Sequence, residues 1–358
     1  MNLSILSKSE RVRLQMIPIL FGVGLMVGVP RAADLKGNLE LDNGEFGTIL
    51  SFGAVGSLTS LFLIGNLVHR IGVRRSLHLF STITFLILLT WPHIHNPMIF
   101  FFANIVVAFA FSAYNIAILT HGMARQKQTG VPLLGLIHGG WSIGVLITVL
   151  FALGVTSRLS FAWHLDLVVG FVFVSSQLLL FSLRHTITKN EEDEVPALTF
   201  TPRSILTNLT FDKTLTAAFI LGTMIEFSSG DWATLIAHQE LHFSKAQSII
   251  PYLTFMVMMI FGRTSINYLN RKKPERFWLT LGSLVGSVGF LALLHLTFFL
   301  ADKVSPSVVL TLLGISFACA GFGTSFMAAI IMAAGMRRNN LPASTIMSRM
   351  NFSNVLWA

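Results

Sequence analysis

Glu226 and Asp231 stand inside the apolar run 214–237, where a carboxylate is costly to keep. A charge at the centre of a bilayer costs about 2.5–3.5 kcal/mol on insertion scales, so such an acid faces a partner or a water-filled cavity. An acid that can take and release a proton there is suited to coupling proton movement to another event, and Glu226 is the candidate for that chemistry. The competing reading is a structural acid hydrogen-bonded to a neighbouring helix. Asp231 pairs in type with Arg31, which ends the first apolar run. By position alone they are either a functional pair or two separate charges among headgroups. Trp232 is either a wall for a ring or an interfacial aromatic anchor. Asn115, His138 and Trp141 supply an amide, a titratable imidazole and an indole to a candidate solute cavity, although a lone His in a helix bundle also serves as a packing residue. Arg263 either takes part in gating or snorkels to the interface.

Other chemistries find no support. His238-Gln239-Glu240-Leu241-His242 places two His four apart, but the metalloprotease pattern needs Glu directly after the first His. No phosphate-binding GxxxxGK[ST] occurs, which argues against ATP-driven work by this chain alone. Cys319 is the single cysteine, so no intrachain disulfide forms. No clustered nucleophile, metal set or cofactor motif marks an enzyme, and neither a metal nor a cofactor is expected.

These residues must be positioned by elements that live in lipid. Of 358 residues, 53% are hydrophobic and 11% charged, whereas soluble domains carry about 25% charged residues. Mean hydropathy is +0.71. The formal charge of +9 sits in small clusters between apolar runs, the pattern of membrane loops and not of a nucleic-acid surface. Ten runs are long enough to span: about 14–33, 46–68, 76–95, 98–121, 131–156, 161–183, 214–237, 246–268, 277–300 and 307–335. An eleventh begins near Pro342 and reaches Ala358. With the N-terminus cytoplasmic, eighteen Lys and Arg fall on inner segments and five on outer ones, which sets the expected orientation. On that frame Glu226 is 12 residues into its helix, roughly 18 Å from the start and near the midplane.

The connection 185–213, with Glu191-Glu192-Asp193-Glu194 and two prolines, reads as a cytoplasmic linker. It separates a six-helix half, 1–184, from a second half, 214–358. At an offset of about 200, Arg74-Arg75 falls near Lys272-Lys273, so the halves repeat in loop spacing. Parallel six-helix repeats are a transporter pattern with a site near the midplane. The repeat leaves the second half short of most of its last two helices: either the sequence is a piece of a longer chain or that half is incomplete.

Gly65, Arg70, Gly72, Arg74 and Arg75 resemble the loop G-x-x-x-D-R-x-G-x-R-R between helices 2 and 3 of the major facilitator superfamily. Val29-Pro30-Arg31, His138 with Ser142 and Gly144, Glu226 with Asp231-Trp232, and Gly262-Arg263 resemble a group of bacterial inner-membrane permeases in it. The resemblance implies an all-α polytopic fold of two six-helix halves, here with ten complete helices and a truncated eleventh, in which helices 1 and 7 face each other across a central cavity, so that Arg31 and Asp231 could close an outer gate or hold a polar or anionic solute. It implies a multi-pass inner-membrane secondary transporter that moves a small organic solute by alternating access, with proton coupling; a monomer is expected, though the sequence leaves the oligomeric state open. The alternative is a non-transporting receptor or assembly protein on the same fold. His69 stands where the superfamily has Asp. An Asp there favours the N-terminus of helix 11 and holds the inner gate closed; His69 cannot supply that anion. The gating set is thus Gly65, His69, Arg70, Gly72, Arg74, Arg75 and Arg263.

Overall fold

The computed structural model describes residues 8–129, 133–183 and 213–338, apart from some side chains inside these helices. Among them every regular element is helical. The helices are α1 (Lys8–Met26), α2 (Ala32–Asn38), α3 (Asn43–Ser51), α4 (Gly53–Ile71), α5 (Val73–Leu88), α6 (Pro97–Thr129), α7 (Leu133–Val155) and α8 (Phe161–Ser182), then α9 (Lys213–Leu235), α10 (Ile250–Leu269), α11 (Glu275–Leu284), α12 (Phe290–Leu300) and α13 (Pro306–Arg338). Seven stretches among the described residues are long and apolar enough to cross a membrane, so the protein is a multi-pass membrane protein. The linker 185–212 and the run beginning at Pro342 lie outside the described residues.

Several expected runs resolve into more than one element. The run 14–33 is a helix only to Met26; a 3-10 turn at Val29–Arg31 and the short α2 follow. Pro30 cannot donate a backbone hydrogen bond, which explains the break. The run near 46–68 is split between α3 and α4 at Phe52. Asp42 caps α3 through a reciprocal pair with Glu45, at 2.7 Å and 3.0 Å. Asn104 of α6 donates to the Ile49 and Leu50 carbonyls at 2.9 and 3.2 Å, satisfying acceptors where the helix is interrupted. The span Glu275–Leu300 contains a π turn at Val285–Gly289.

The chain forms two compact units. The first holds residues 1–28, 34–148 and 159–205; the second holds 29–33, 149–158 and 206–358. In the first unit α6 is packed by α4 and α5, and α8 by α1 and α5. In the second, α13 is the common partner of α9, α10, α11 and α12. The backbones approach as lipid-embedded helices do, through small residues. A Cβ on Gly56 of α4 would overlap the Ile105 carbonyl of α6, and one on Gly321 of α13 would overlap the Phe255 carbonyl of α10.

Candidate functional site

α9 and α10 are consecutive helices joined by the short stretch 236–249, so residues at similar distances from that connection stand at similar depth. Glu226 and Arg263 satisfy this condition to within about one helical turn. Their side chains meet: Arg263 Nη2 donates to Glu226 Oε2 at 2.6 Å. The two side chains are 28% and 31% exposed, so the pair is neither sealed in the interior nor fully open. Gly262, next to Arg263, lies so close to Ser325 of α13 that a Cβ would overlap the hydroxyl. That close approach fixes where α10 presents Arg263. A paired carboxylate and guanidinium are mutually compensated, which is the condition for keeping either among apolar helices.

Asp231 is half-buried on α9, one and a half turns beyond Glu226. Tyr252 of α10 lies within electrostatic reach of both acids and is itself buried, stacked on Phe255 at 6.3 Å between centroids. Arg31 is 2% exposed, and its turn, Val29–Arg31, packs against α9. An interfacial charge in headgroups does not fit that burial. Trp232 is half-buried beside Asp231. The second unit thus carries Glu226, Arg263, Asp231, Tyr252 and Arg31 on or against two helices.

In the first unit Trp141 belongs to an aromatic cluster. Phe21 of α1 stacks on Tyr114 of α6 at 3.7 Å, and Phe111 lies 5.5 Å from Trp141. Phe21 and Tyr114 are each 2% exposed, whereas Phe111 and Trp141 keep part of their faces open. The cluster packs α1, α6 and α7 together and offers an aromatic edge. Asn115 is half-buried on α6. His138 lies outside the residues whose side chains are described. A small recess between α1, α6 and α7 is lined by Arg11, Gln15 and His121 among apolar side chains. Beside it Arg125 donates through Nε and Nη2 to Glu10 Oε1, at 3.2 and 2.5 Å. Charge counting places Arg125 in a loop; α6 continues to Thr129 and carries it as a helical residue.

The segment between α4 and α5 is compressed to one residue, Gly72, with φ 90°. That left-handed conformation is open to glycine and strained for a residue with a Cβ. Gly72 accepts from Ser76 through its carbonyl at 2.9 Å and donates to the Val68 carbonyl at 2.8 Å. Arg70 and Arg75 are exposed and Arg74 half-buried. Gly65 and His69 lie outside the residues whose side chains are described. His238 bonds the Phe243 carbonyl through Nδ1 at 2.8 Å, so that imidazole has a local structural partner.

The sequence matches the Major Facilitator Superfamily over residues 16–358. The chain belongs to the Major Facilitator Superfamily. Its fold is similar to that of nucleoside transporter NupG, with a TM-score of 0.72 and 15% identity, over 100% of this chain and 89% of that one. It is similar to the D-xylose-proton symporter, with a TM-score of 0.71 and 14% identity over 98% and 87% of the two chains. The xylose transporter XylE from E. coli, in a partially occluded inward open conformation, is similar with a TM-score of 0.65 and 13% identity over 97% and 89%. No curated protein matches the sequence. At such identities the likeness is one of fold; the superfamily fold hosts many solutes, and the solute must be argued from the site.

Sequence reasoning singles out Glu226 and Arg263 separately and assigns them to different jobs. Their distances from the α9–α10 connection differ by about one helical turn, and the sequence does not say which faces of the two helices meet. The Glu10–Arg125 pair is not among the expectations. It depends on α6 extending past its apolar run, which hydropathy alone does not report.

Proposed function

We propose that this superfamily member is a secondary active transporter that moves a small organic solute across the cytoplasmic membrane by alternating access, coupled to protons through Glu226. The observation that carries this reading is the Glu226–Arg263 pair at 2.6 Å, donated by two helices that run among apolar neighbours. Protonating Glu226 neutralises one member of the pair and leaves the other charged. The local electrostatics therefore have two states separated by one proton. Asp231, Arg31 and Trp232 are assigned to the solute path with Asn115, His138 and Trp141. The Gly65–Arg75 segment, with His69, Arg70, Gly72, Arg74 and Arg75, is assigned to gating on the cytoplasmic side.

The proposed domains are an N-terminal six-helix half (1–184), a cytoplasmic linker (185–213) and a C-terminal half (214–358), with ten complete helices and the start of an eleventh. The N-terminus is placed in the cytoplasm and the protein acts as a monomer. The test is Glu226→Gln in reconstituted vesicles. The variant should insert normally but lose accumulation driven by a pH gradient, while downhill exchange of solute persists. Retention of full gradient-driven accumulation would remove Glu226 from the mechanism.

A further inference from the structure

The Glu226–Arg263 pair leaves most of the guanidinium unused. One nitrogen meets one carboxylate oxygen at 2.6 Å, and among the described residues neither side chain makes a further hydrogen bond. Arginine carries five N–H donors in a planar fork that matches a carboxylate in bidentate fashion. The Arg263 side chain as a whole is 31% exposed. The charged and titratable groups around it are few. On α9 there is Asp231, with Lys213 at the far end; on α10 there is Tyr252, with Tyr268 at the far end. The turn packed on α9 brings Arg31. α13, which packs on both helices, has no charged residue before Arg337. Among the described residues Arg263 is therefore a cation with one anionic partner, spare donors and partial access.

Resting on the transport reading above, we propose that the solute is an organic monocarboxylate, and that its carboxylate replaces that of Glu226 on Arg263 when Glu226 takes a proton. The exchange balances. A proton from one compartment adds to a Glu226 oxygen, the carboxylate becomes a neutral carboxyl, and its charge-assisted bond to Nη2 is given up. The solute carboxylate then accepts two N–H bonds from the fork. On the other side the solute leaves, the proton leaves, and the pair re-forms. One positive and one negative charge cross together, so no net charge moves. The coupling has a physical cause. A guanidinium with no anion among apolar helices is costly, so release of Glu226 from Arg263 is compensated only when another carboxylate takes its place. A solute carboxylate arriving while Glu226 is ionised would put two anions on one cation, with Asp231 nearby.

The test uses the full chain in proteoliposomes with radiolabelled pyruvate, lactate and gluconate, against neutral glucose and uridine, with protein-free vesicles as the leak control. At least one carboxylate should accumulate about tenfold when the outside is made acidic. A potassium diffusion potential set with valinomycin should not change that accumulation. Glu226→Gln should keep one-for-one carboxylate exchange and lose accumulation; Arg263→Gln should lose carboxylate uptake and exchange; Arg263→Lys should keep a weakened fraction. Accumulation of a neutral solute without any carboxylate overturns the proposal and leaves proton-coupled transport standing. Carboxylate uptake that survives Arg263→Gln unaltered does the same. Absence of pH-driven accumulation of every solute in the panel overturns both readings.

Discussion

A carboxylate and a guanidinium at 2.6 Å are more informative than either residue alone. Each is expensive among apolar helices, and the expense is contained only while the other is present. Removing one partner of a buried pair leaves an uncompensated charge and costs about 3–5 kcal/mol in sealed interiors. Here each side chain is about a third exposed, so the loss should be smaller, about 1–2 kcal/mol after allowance for solvent screening. Glu226→Gln alone and Arg263→Gln alone should each lower the melting temperature of the purified protein. The double variant should recover most of the loss, because two amides can share a hydrogen bond without any charge. Thermal unfolding followed by size-exclusion of the detergent-solubilised protein measures this; strictly additive losses would mean that the two side chains do not act as a pair. The acid was legible in the sequence because charge is rare in an apolar run. The pairing was not, because residue type says nothing about which helix faces which. Arg31 gives the same lesson. Its position at the end of a run leaves open a pairing with Asp231 or a separate headgroup charge; the helix stops at Met26 and the turn carrying Arg31 is buried against α9.

At the scale of helices, each of the two units uses the same packing device. Gly56 sets α4 against α6 in the first unit, and Gly321 sets α13 against α10 in the second. Two helices in lipid gain no hydrophobic free energy by touching, so contact depends on how closely their backbones can pack. Within α13 the structure also supplies an internal control. A Cβ on Gly314 would meet the Thr254 methyl at 3.6 Å, which is ordinary contact, whereas one on Gly321 would overlap the Phe255 carbonyl. Alanine is a better helix former than glycine by about 1 kcal/mol. Gly314→Ala should therefore be neutral or mildly stabilising, and Gly321→Ala should destabilise by forcing α13 off α10. The check is the melting temperature and the monodisperse yield of each variant; equal behaviour of the two would mean that the helix pair accommodates the added methyl. Hydropathy made the runs themselves legible, since α8 and α10 fall close to the expected spans. It did not show the break at Phe52 or the π turn at Val285–Gly289, because both lie inside stretches that remain apolar throughout.

At the scale of the whole molecule, family membership follows from the match over residues 16–358, and orientation is argued from charge. Eighteen Lys and Arg on inner segments against five on outer ones argue for a cytoplasmic N-terminus and a cytoplasmic Gly65–Arg75 segment. The span Glu275–Leu300 makes that orientation testable with one pair of substitutions. Its 26 residues cover about 39 Å, enough to cross the hydrocarbon core. Lys272 stands in the exposed turn before it, and Lys303 in the exposed turn after it, with its ammonium over the Phe299 ring. Cys319 is the single thiol, so Cys319→Ser gives a background without cysteine. In that background Lys303→Cys should react with a membrane-impermeant maleimide added to intact cells, and Lys272→Cys should react only after permeabilisation. The reverse pattern would invert the protein and move the arginine-rich loop to the outside, taking the proposed cytoplasmic gate with it. Labelling of both in intact cells would mean that 275–300 does not cross, which would contradict its length and composition. The expected pattern puts Arg271, Lys272, Lys273 and Arg276 on the same face as Arg70, Arg74 and Arg75, where retention of cationic loops at the cytoplasmic surface favours them.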